Sequence, residues 1–310
     1  MRQIDRILWN GNAVVGTCHI PQGLAPRETG FLFLNFGYVP RDGHGGLAAR
    51  LSDALAEKGF HAFRYDLPGL GDSPGSSPDL ADDLFDYVTS GGYAECSLAI
   101  ARRCMQRFEL KKMVLGGLCG AAVTSIYAAD QDPSVVSGLL LLEPELFLTT
   151  KSAMEKVRRE KETSAWTLIE QGAHRLSKIP GAAPLFSYWG WMRLLTLENR
   201  YGQYVPLPRS FLLRVLLRND RLPDVTNIPL VDAWKRVVSR SVPALVLTAQ
   251  GKLREVFFDR INGVALSGLS TSCLQHIRLS GTNHIFTSGG AIDMVIEKVL
   301  PWAVSHFGQA

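Results

Sequence analysis

Met113-Val-Leu-Gly-Gly-Leu-Cys119-Gly-Ala-Ala122 joins an apolar run typical of a buried strand to the start of a helical pattern. Cys119 lies between the expected strand and the expected helix. It is the one residue of this stretch whose side chain can act as a nucleophile. Gly117 lies two residues before it and Ala121 two after, where bulky side chains would clash in a tight strand-to-helix turn. The spacing predicts a nucleophile elbow, in which the helix N-terminus helps the thiol to lose its proton. A buried structural cysteine in an ordinary strand-to-helix crossover is the alternative at this point.

Length and composition place the chain among globular α/β proteins. It has 310 residues, of which 46% are hydrophobic and 20% are charged, with a formal net charge of +4. No block of like charges or basic stripe indicates a nucleic-acid partner. The longest apolar run, Gly138 to Leu142, is too short for a transmembrane segment, and the first residues lack the apolar stretch of a secretory signal.

The cysteines indicate the compartment. They are dispersed, and none forms a CxxC pair or a Cys/His cluster with the spacing of a metal site: Cys18, Cys96, Cys104, Cys119 and Cys273. An odd, scattered set fits free thiols in a reducing compartment, so we expect a cytoplasmic location. The sequence predicts no metal and no cofactor.

Apolar runs and helical patterns alternate along the chain. An Asn-Gly turn between apolar flanks predicts a hairpin within residues 7–20. Strands are expected over 31–35, 60–66, 111–115, 136–142, 244–248 and 273–279, with helices over 47–58, 93–108, 121–129 and 291–306. This alternation predicts a mostly parallel central sheet with helices on both faces.

The alternation stops between residues 151 and 240. Helical and irregular segments with several tryptophans occur there, and basic residues outnumber acidic ones. We therefore expect a core formed by residues 1–150 and 241–310, with a helical lid, 151–240, inserted after the sixth strand. Its apolar side chains could line an acyl pocket or merely pack on the core, and its positive charge could attract an anionic acyl carrier.

The order of these landmarks resembles that of the α/β-hydrolase family. Asn35-Phe-Gly-Tyr follows one strand, Arg64-Tyr-Asp-Leu-Pro-Gly-Leu-Gly-Asp-Ser follows the next, and Gly281-Thr-Asn-His284 lies near the end. The resemblance covers nearly the whole chain outside the insertion. The cysteine elbow is similar to that of dienelactone hydrolases and polyhydroxyalkanoate synthases.

A narrower resemblance is to the exosortase-system-associated hydrolases, which share the Gly-Leu-Cys elbow and the N-terminal half. In that group we expect aspartate directly after the cysteine, whereas this chain has Gly120. The insertion gives no support for or against this narrower resemblance.

The resemblance assigns a role to each of several residues. Cys119 occupies the nucleophile position, where most members carry serine, and a thiolate there would form a thioester intermediate. His284 occupies the general-base position after the last strand. It would take the proton of Cys119 and return it to the leaving group.

The identity of the triad acid is open. The loop after the seventh strand lacks the aspartate that most members carry. Glu143, at the end of the sixth strand, is the first candidate, because some relatives supply the acid from there. Glu255 is the second, followed by Glu145 or by no acid at all. A strand-end carboxylate that caps a helix or is merely solvated is the alternative for Glu143.

The oxyanion hole implied by the family needs two N–H groups. Gly120, after the nucleophile, would supply one and Tyr38 the other, although Tyr38 could simply cap the core. Arg41 and His44, in the same loop as Tyr38, could bind an anionic group of the substrate, but a solvated loop face explains them as well.

Together these residues predict a cofactor-independent hydrolase of a small-molecule or carrier-bound ester or thioester. An acyltransferase with the same acyl-Cys119 intermediate and an alcohol or amine acceptor is the second hypothesis. A non-catalytic binding protein on the same fold is the third, supported by the missing aspartate alone. The oligomeric state is not indicated.

Overall fold

The computed structural model describes residues 1–35, 37–78, 81–148, 222–223 and 225–308. One eight-stranded sheet with the order β1-β2-β4-β3-β5-β6-β7-β8 runs through them. Its strands are β1 (Arg2–Trp9), β2 (Asn12–His19), β3 (Thr29–Phe33), β4 (His61–Tyr65), β5 (Lys112–Leu118), β6 (Val136–Leu142), β7 (Ala244–Ala249) and β8 (Leu274–Leu279).

Only β2 runs opposite to the other strands of this sheet. β1 and β2 form an antiparallel hairpin that pairs antiparallel with β4, whereas β4, β3, β5, β6, β7 and β8 are mutually parallel. Asn10 and Gly11 connect the hairpin with φ angles of 46° and 79°, which are the left-handed conformations that an Asn-Gly turn provides. The predicted hairpin and the mostly parallel sheet are confirmed.

Helices cover both faces of the sheet, as expected. They are α1 (Leu47–Glu57), α2 (Ala81–Thr89), α3 (Ala94–Arg107), α4 (Gly120–Gln131), α5 (Ile228–Ser239), α6 (Leu253–Ala265) and α7 (Ala291–Phe307). One hydrophobic cluster joins side chains of α3, α4 and α5 to one face, and a second joins α1 and α7 to the other. Among the helices described here, none is both long and apolar enough to cross a bilayer.

The predicted lid lies largely outside the described residues, which resume at residue 222. Residues 228–239, at the end of the segment expected to form the lid, make up α5 and pack against α4. Trp234 of this helix is fully buried, and its indole N–H donates to Asn262 Oδ1 at 2.8 Å. The last helix of the expected insertion therefore packs within the core, while the division into core and lid stays a prediction.

The strand-to-helix turn at Cys119 has the strained geometry that its neighbours indicated. Cys119 has φ 52° and ψ −108°, an unusual conformation for a residue with a side chain. Gly117 has φ 143°, and a Cβ atom there would lie 2.6 Å from the Cβ of Ala121. The small residues on either side of the cysteine are therefore a steric requirement of this turn.

Substitution Gly117→Ala should destabilise the fold by about 1–3 kcal/mol, because it adds both a positive-φ strain and a clash with Ala121. Equilibrium unfolding in urea measures the change. Gly263→Ala is the matched control, since Gly263 lies in α6 with nothing within 4 Å of an added Cβ. That substitution should instead stabilise by about 0.5–1 kcal/mol. Equal effects of the two substitutions would contradict this account of the turn.

Candidate active site

The carboxyl ends of the parallel strands bring the predicted catalytic residues together. Cys119 directly follows β5, Glu143 directly follows β6, and His284 lies in the loop after β8. The Cys119 N–H donates to Leu142 O at 2.8 Å, and the Glu143 N–H donates to Leu247 O at 2.8 Å. These bonds fix the elbow, the end of β6 and the end of β7 side by side.

Glu143 is the carboxylate that the structure places on His284. Its Oε2 lies 3.3 Å from His284 Nδ1, and its Oε1 accepts a hydrogen bond from the Ala249 N–H. The Glu143 side chain has no solvent exposure, whereas that of His284 is 19% exposed. The carboxylate thus orients the ring and favours the tautomer with its proton on Nδ1.

Local hydrogen bonds close a turn around His284. Phe286 is fully buried, and its N–H donates to Asn283 O at 3.1 Å. Asn283 Oδ1 accepts from the Thr287 N–H at 2.9 Å. The imidazole therefore sits on an anchored loop beside Cys119.

A second carboxylate, Glu145, also faces the thiol. The Cys119 sulfur, a carboxylate oxygen of Glu145 and a ring nitrogen of His284 lie within 4.8 Å of one another. Arg254, at the start of α6, donates its Nε–H to Glu145 Oε1. The site thus contains one thiol, one imidazole and two buried carboxylates, and the guanidinium pairs with one of those carboxylates.

The expectation that the Cys119 thiol loses its proton readily is contradicted by its surroundings. Its pKa is raised well above the ordinary value, first because burial disfavours the thiolate and then because Glu145 is negatively charged and hydrogen-bonded to it. The charge of Arg254 and the N–H of Gly120 act in the opposite direction but are weaker. The helix N-terminus therefore does not outweigh desolvation. These surroundings therefore favour the thiol over the thiolate at Cys119.

The two predicted oxyanion-hole residues have different surroundings. The Gly120 N–H acts to lower the pKa of Cys119, and its role in an oxyanion hole stays a prediction. Tyr38 is 48% exposed, and its hydroxyl donates to Pro78 O at 2.8 Å. A role for the Tyr38 backbone stays a prediction.

Arg41 belongs to a buried hydrogen-bond network. Its guanidinium pairs with Asp66 and Asp72, and its Nε donates to Thr17 Oγ1 at 3.1 Å. Asp66 also accepts from Asn35 Nδ2 at 2.9 Å. This arrangement ties the two loops after β3 and β4 together, and an anion-binding role for Arg41 stays a prediction.

The two remaining candidate residues, Glu255 and His44, have different surroundings. Glu255 is engaged elsewhere: it accepts from the Gly251 N–H at 2.6 Å and pairs with Arg278 Nε at 2.8 Å. The pKa of His44 is lowered, first by burial and then by the charge of His284. His44 is therefore close enough to the site to interact electrostatically with His284. The sequence alone does not identify Arg254 as a residue of this site. An arginine at the start of a helix gives no indication in the sequence of which carboxylate it will pair with.

The fold has many solved counterparts, although no family model and no curated protein matches the sequence. The α/β-hydrolase GrgF from Penicillium sp. sh18 superposes with a TM-score of 0.57 at 14% identity, over 100% of both chains. A thermophilic esterase from Thermogutta terrifontis gives 0.51 at 14% identity, over 98% of both chains. The thioesterase domain from the curacin biosynthetic pathway gives 0.50 at 16% identity, over 96% of this chain and 99% of that one. This chain has the α/β-hydrolase fold.

Substitution Glu145→Gln should accelerate alkylation of Cys119 by iodoacetamide at neutral pH. Removing the carboxylate lowers the pKa of the thiol, and each unit of lowering raises the thiolate fraction about tenfold. Peptide mapping follows the modification at Cys119 alone. Glu255→Gln is the control and should leave the rate unchanged, because Glu255 pairs with Arg278. An unchanged rate in Glu145→Gln would refute the proposed influence of this carboxylate.

Proposed function

We infer that the protein is a cofactor-independent hydrolase that cleaves an ester or thioester through an acyl-Cys119 intermediate. The observation that carries this proposal is the chain of contacts from the buried thiol through His284 to the fully buried Glu143. A nucleophile, a base and a group that orients the base are the three parts that nucleophilic acyl transfer requires.

Each step uses a residue at this strand-end site. His284 takes the Cys119 proton while the sulfur attacks the acyl carbonyl, and Glu143 stabilises the imidazolium that forms. The Gly120 N–H donates to the developing oxyanion. The imidazolium then returns its proton to the leaving alcohol or thiol, which leaves a thioester on Cys119. His284 next removes a proton from water, and the attacking hydroxide releases the acid and the thiol.

The raised pKa of Cys119 fits this order of events. Burial and then Glu145 favour the thiol, which reacts with alkylating and oxidising agents more slowly than the thiolate. Proton transfer to His284 is then coupled to attack, as it is for a serine nucleophile.

The solved structures of similar fold include an esterase and a thioesterase domain. At 14% and 16% identity these structures share the fold with this chain, and the reaction is proposed from the site itself. Membership of the cysteine-nucleophile branch, the resemblance to exosortase-system-associated hydrolases and the cytoplasmic location remain predictions from sequence. All five cysteines are free thiols, which agrees with a reducing compartment.

The intermediate itself can be detected by intact-mass spectrometry after brief exposure to acyl thioesters and activated esters. The wild-type protein should gain the mass of the acyl group transiently. Cys119→Ala should show no adduct. His284→Ala should form the adduct more slowly and retain it, because no base activates water, with each step slowed by about 10²–10⁴-fold.

The fate of the adduct decides between hydrolysis and transfer. Decay in water alone supports the hydrolase, whereas decay that requires an added amine or alcohol would establish the acyltransferase instead. No adduct with any acyl donor, together with a correctly folded protein, would overturn the proposal in favour of a binding protein.

Glu143→Gln should lower kcat by about tenfold or more, because the neutral amide stabilises the imidazolium less and no longer enforces its tautomer. Steady-state kinetics with the best acyl donor from the mass experiment measure this effect. Glu255→Gln should retain wild-type kcat, since Glu255 contacts Gly251 and Arg278. The reverse pattern would assign the triad acid to Glu255.

A further inference from the structure

The proposed mechanism assigns no chemical step to Glu145, although this carboxylate lies beside the nucleophile. It is 5% exposed, and one of its oxygens is within 4.8 Å of both the Cys119 sulfur and a ring nitrogen of His284. A triad needs one carboxylate, and Glu143 already fills that position on Nδ1. A thiol, an imidazole and a second carboxylate that converge on one point form a different type of site.

These three donors are the side chains that bind zinc in proteins. Thiolate, imidazole and carboxylate bind Zn²⁺ at roughly 2.3, 2.0–2.1 and 2.0–2.2 Å, whereas Mg²⁺ and Ca²⁺ prefer oxygen alone. In a tetrahedral site such atoms stand roughly 3.3–3.6 Å apart. The three donor atoms lie at most 4.8 Å apart in this structure. Side-chain movements of about 1 Å would therefore bring all three within bonding distance of one ion. Three protein ligands leave a fourth position for solvent.

The neighbouring residues complete the arrangement. Glu143 accepts from His284 Nδ1, and a carboxylate in that position orients a zinc-bound histidine and raises its basicity. Arg254 engages Oε1 of Glu145, and the carboxylate has a second oxygen available for a metal ion.

The charges also balance around a divalent ion. A thiolate and the two carboxylates carry three negative charges, and Arg254 supplies one positive charge. A divalent cation supplies the other two, which lowers the cost of holding Glu143 and Glu145 away from water.

We propose that Cys119, Glu145 and His284 form a Zn²⁺-binding site, so that the ion reversibly blocks the nucleophile. On binding, the ion replaces the proton of the Cys119 thiol, which passes to solvent, and the sulfur lone pair forms the bond to the metal. No oxidation or reduction occurs. The inhibitory consequence rests on the proposed acyl-cysteine chemistry, whereas the binding itself does not.

Co²⁺ provides a direct optical test of binding. The reduced, chelator-treated full chain is titrated with Co²⁺, and absorbance is recorded in the near-ultraviolet and visible ranges. A thiolate-to-cobalt charge-transfer band together with intense visible bands of tetrahedral cobalt is the expected result. Competition with Zn²⁺ should abolish both at one equivalent.

Substitutions assign the ligands. Cys119→Ser should abolish the charge-transfer band, and Glu145→Gln should weaken Zn²⁺ affinity at least tenfold. Cys273→Ser is the control for the thiol, because Cys273 is a partly exposed cysteine whose sulfur contacts Val238 O at 3.8 Å. Glu255→Gln is the control for the carboxylate. Both controls should bind like the wild type, and thermal denaturation verifies the fold of every variant.

The outcomes separate this proposal from the proposed function. Absence of the charge-transfer band in wild type, or its persistence in Cys119→Ser, would refute the metal site even if the acyl adduct forms. Unchanged affinity in Glu145→Gln would remove Glu145 from the site. With an acyl donor in hand, one equivalent of Zn²⁺ should suppress acylation and a chelator should restore it. If metal binds while no donor acylates Cys119, the hydrolase proposal fails and the metal site stands.

Discussion

The hydrogen bond from the Cys119 N–H to the Leu142 carbonyl connects the elbow to the end of β6. A second bond, from the Glu143 N–H to Leu247 O, extends the connection to β7. Because these strands are parallel, each one delivers its next residue to the same edge of the sheet. Backbone pairing therefore positions Cys119 and Glu143, the carboxylate that contacts His284.

Burial controls the electrostatics at this edge. Glu143 and Glu145 are both nearly inaccessible, and charged carboxylates tolerate such burial only with partners. Glu143 has His284 and the Ala249 N–H, whereas Glu145 has Arg254. Burial first, and then the negative charge of Glu145, raises the pKa of Cys119. The same surroundings favour the thiol form in the proposed hydrolase and underlie the proposed zinc site.

The loops after β3 and β4 are held in place by side-chain hydrogen bonds and not by strand pairing. Asp66 is fully buried and receives hydrogen bonds from Asn35, Arg41 and the Asp72 N–H. The landmarks Asn35-Phe-Gly-Tyr and Arg64-Tyr-Asp-Leu-Pro-Gly-Leu-Gly-Asp-Ser thus meet in one network. Because Asn35 and Arg41 flank Tyr38, that network fixes both ends of the segment expected to complete the oxyanion hole.

The sequence by itself determined the elements and their chemistry. Apolar runs, the Asn-Gly turn and the small residues around Cys119 act through local sterics and burial, so the sheet, the hairpin and the elbow could be predicted from them. The order of strands also placed Glu143 and His284 at one edge. Only the tertiary structure decided that Glu143 contacts His284 while Glu255 pairs with Arg278. It also decided that Arg41 pairs with Asp66 and Asp72, that burial favours the thiol form of Cys119, and that Glu145 and Arg254 lie beside that thiol. Those outcomes depend on distances between side chains far apart in the chain and on the exclusion of water, neither of which a local pattern encodes.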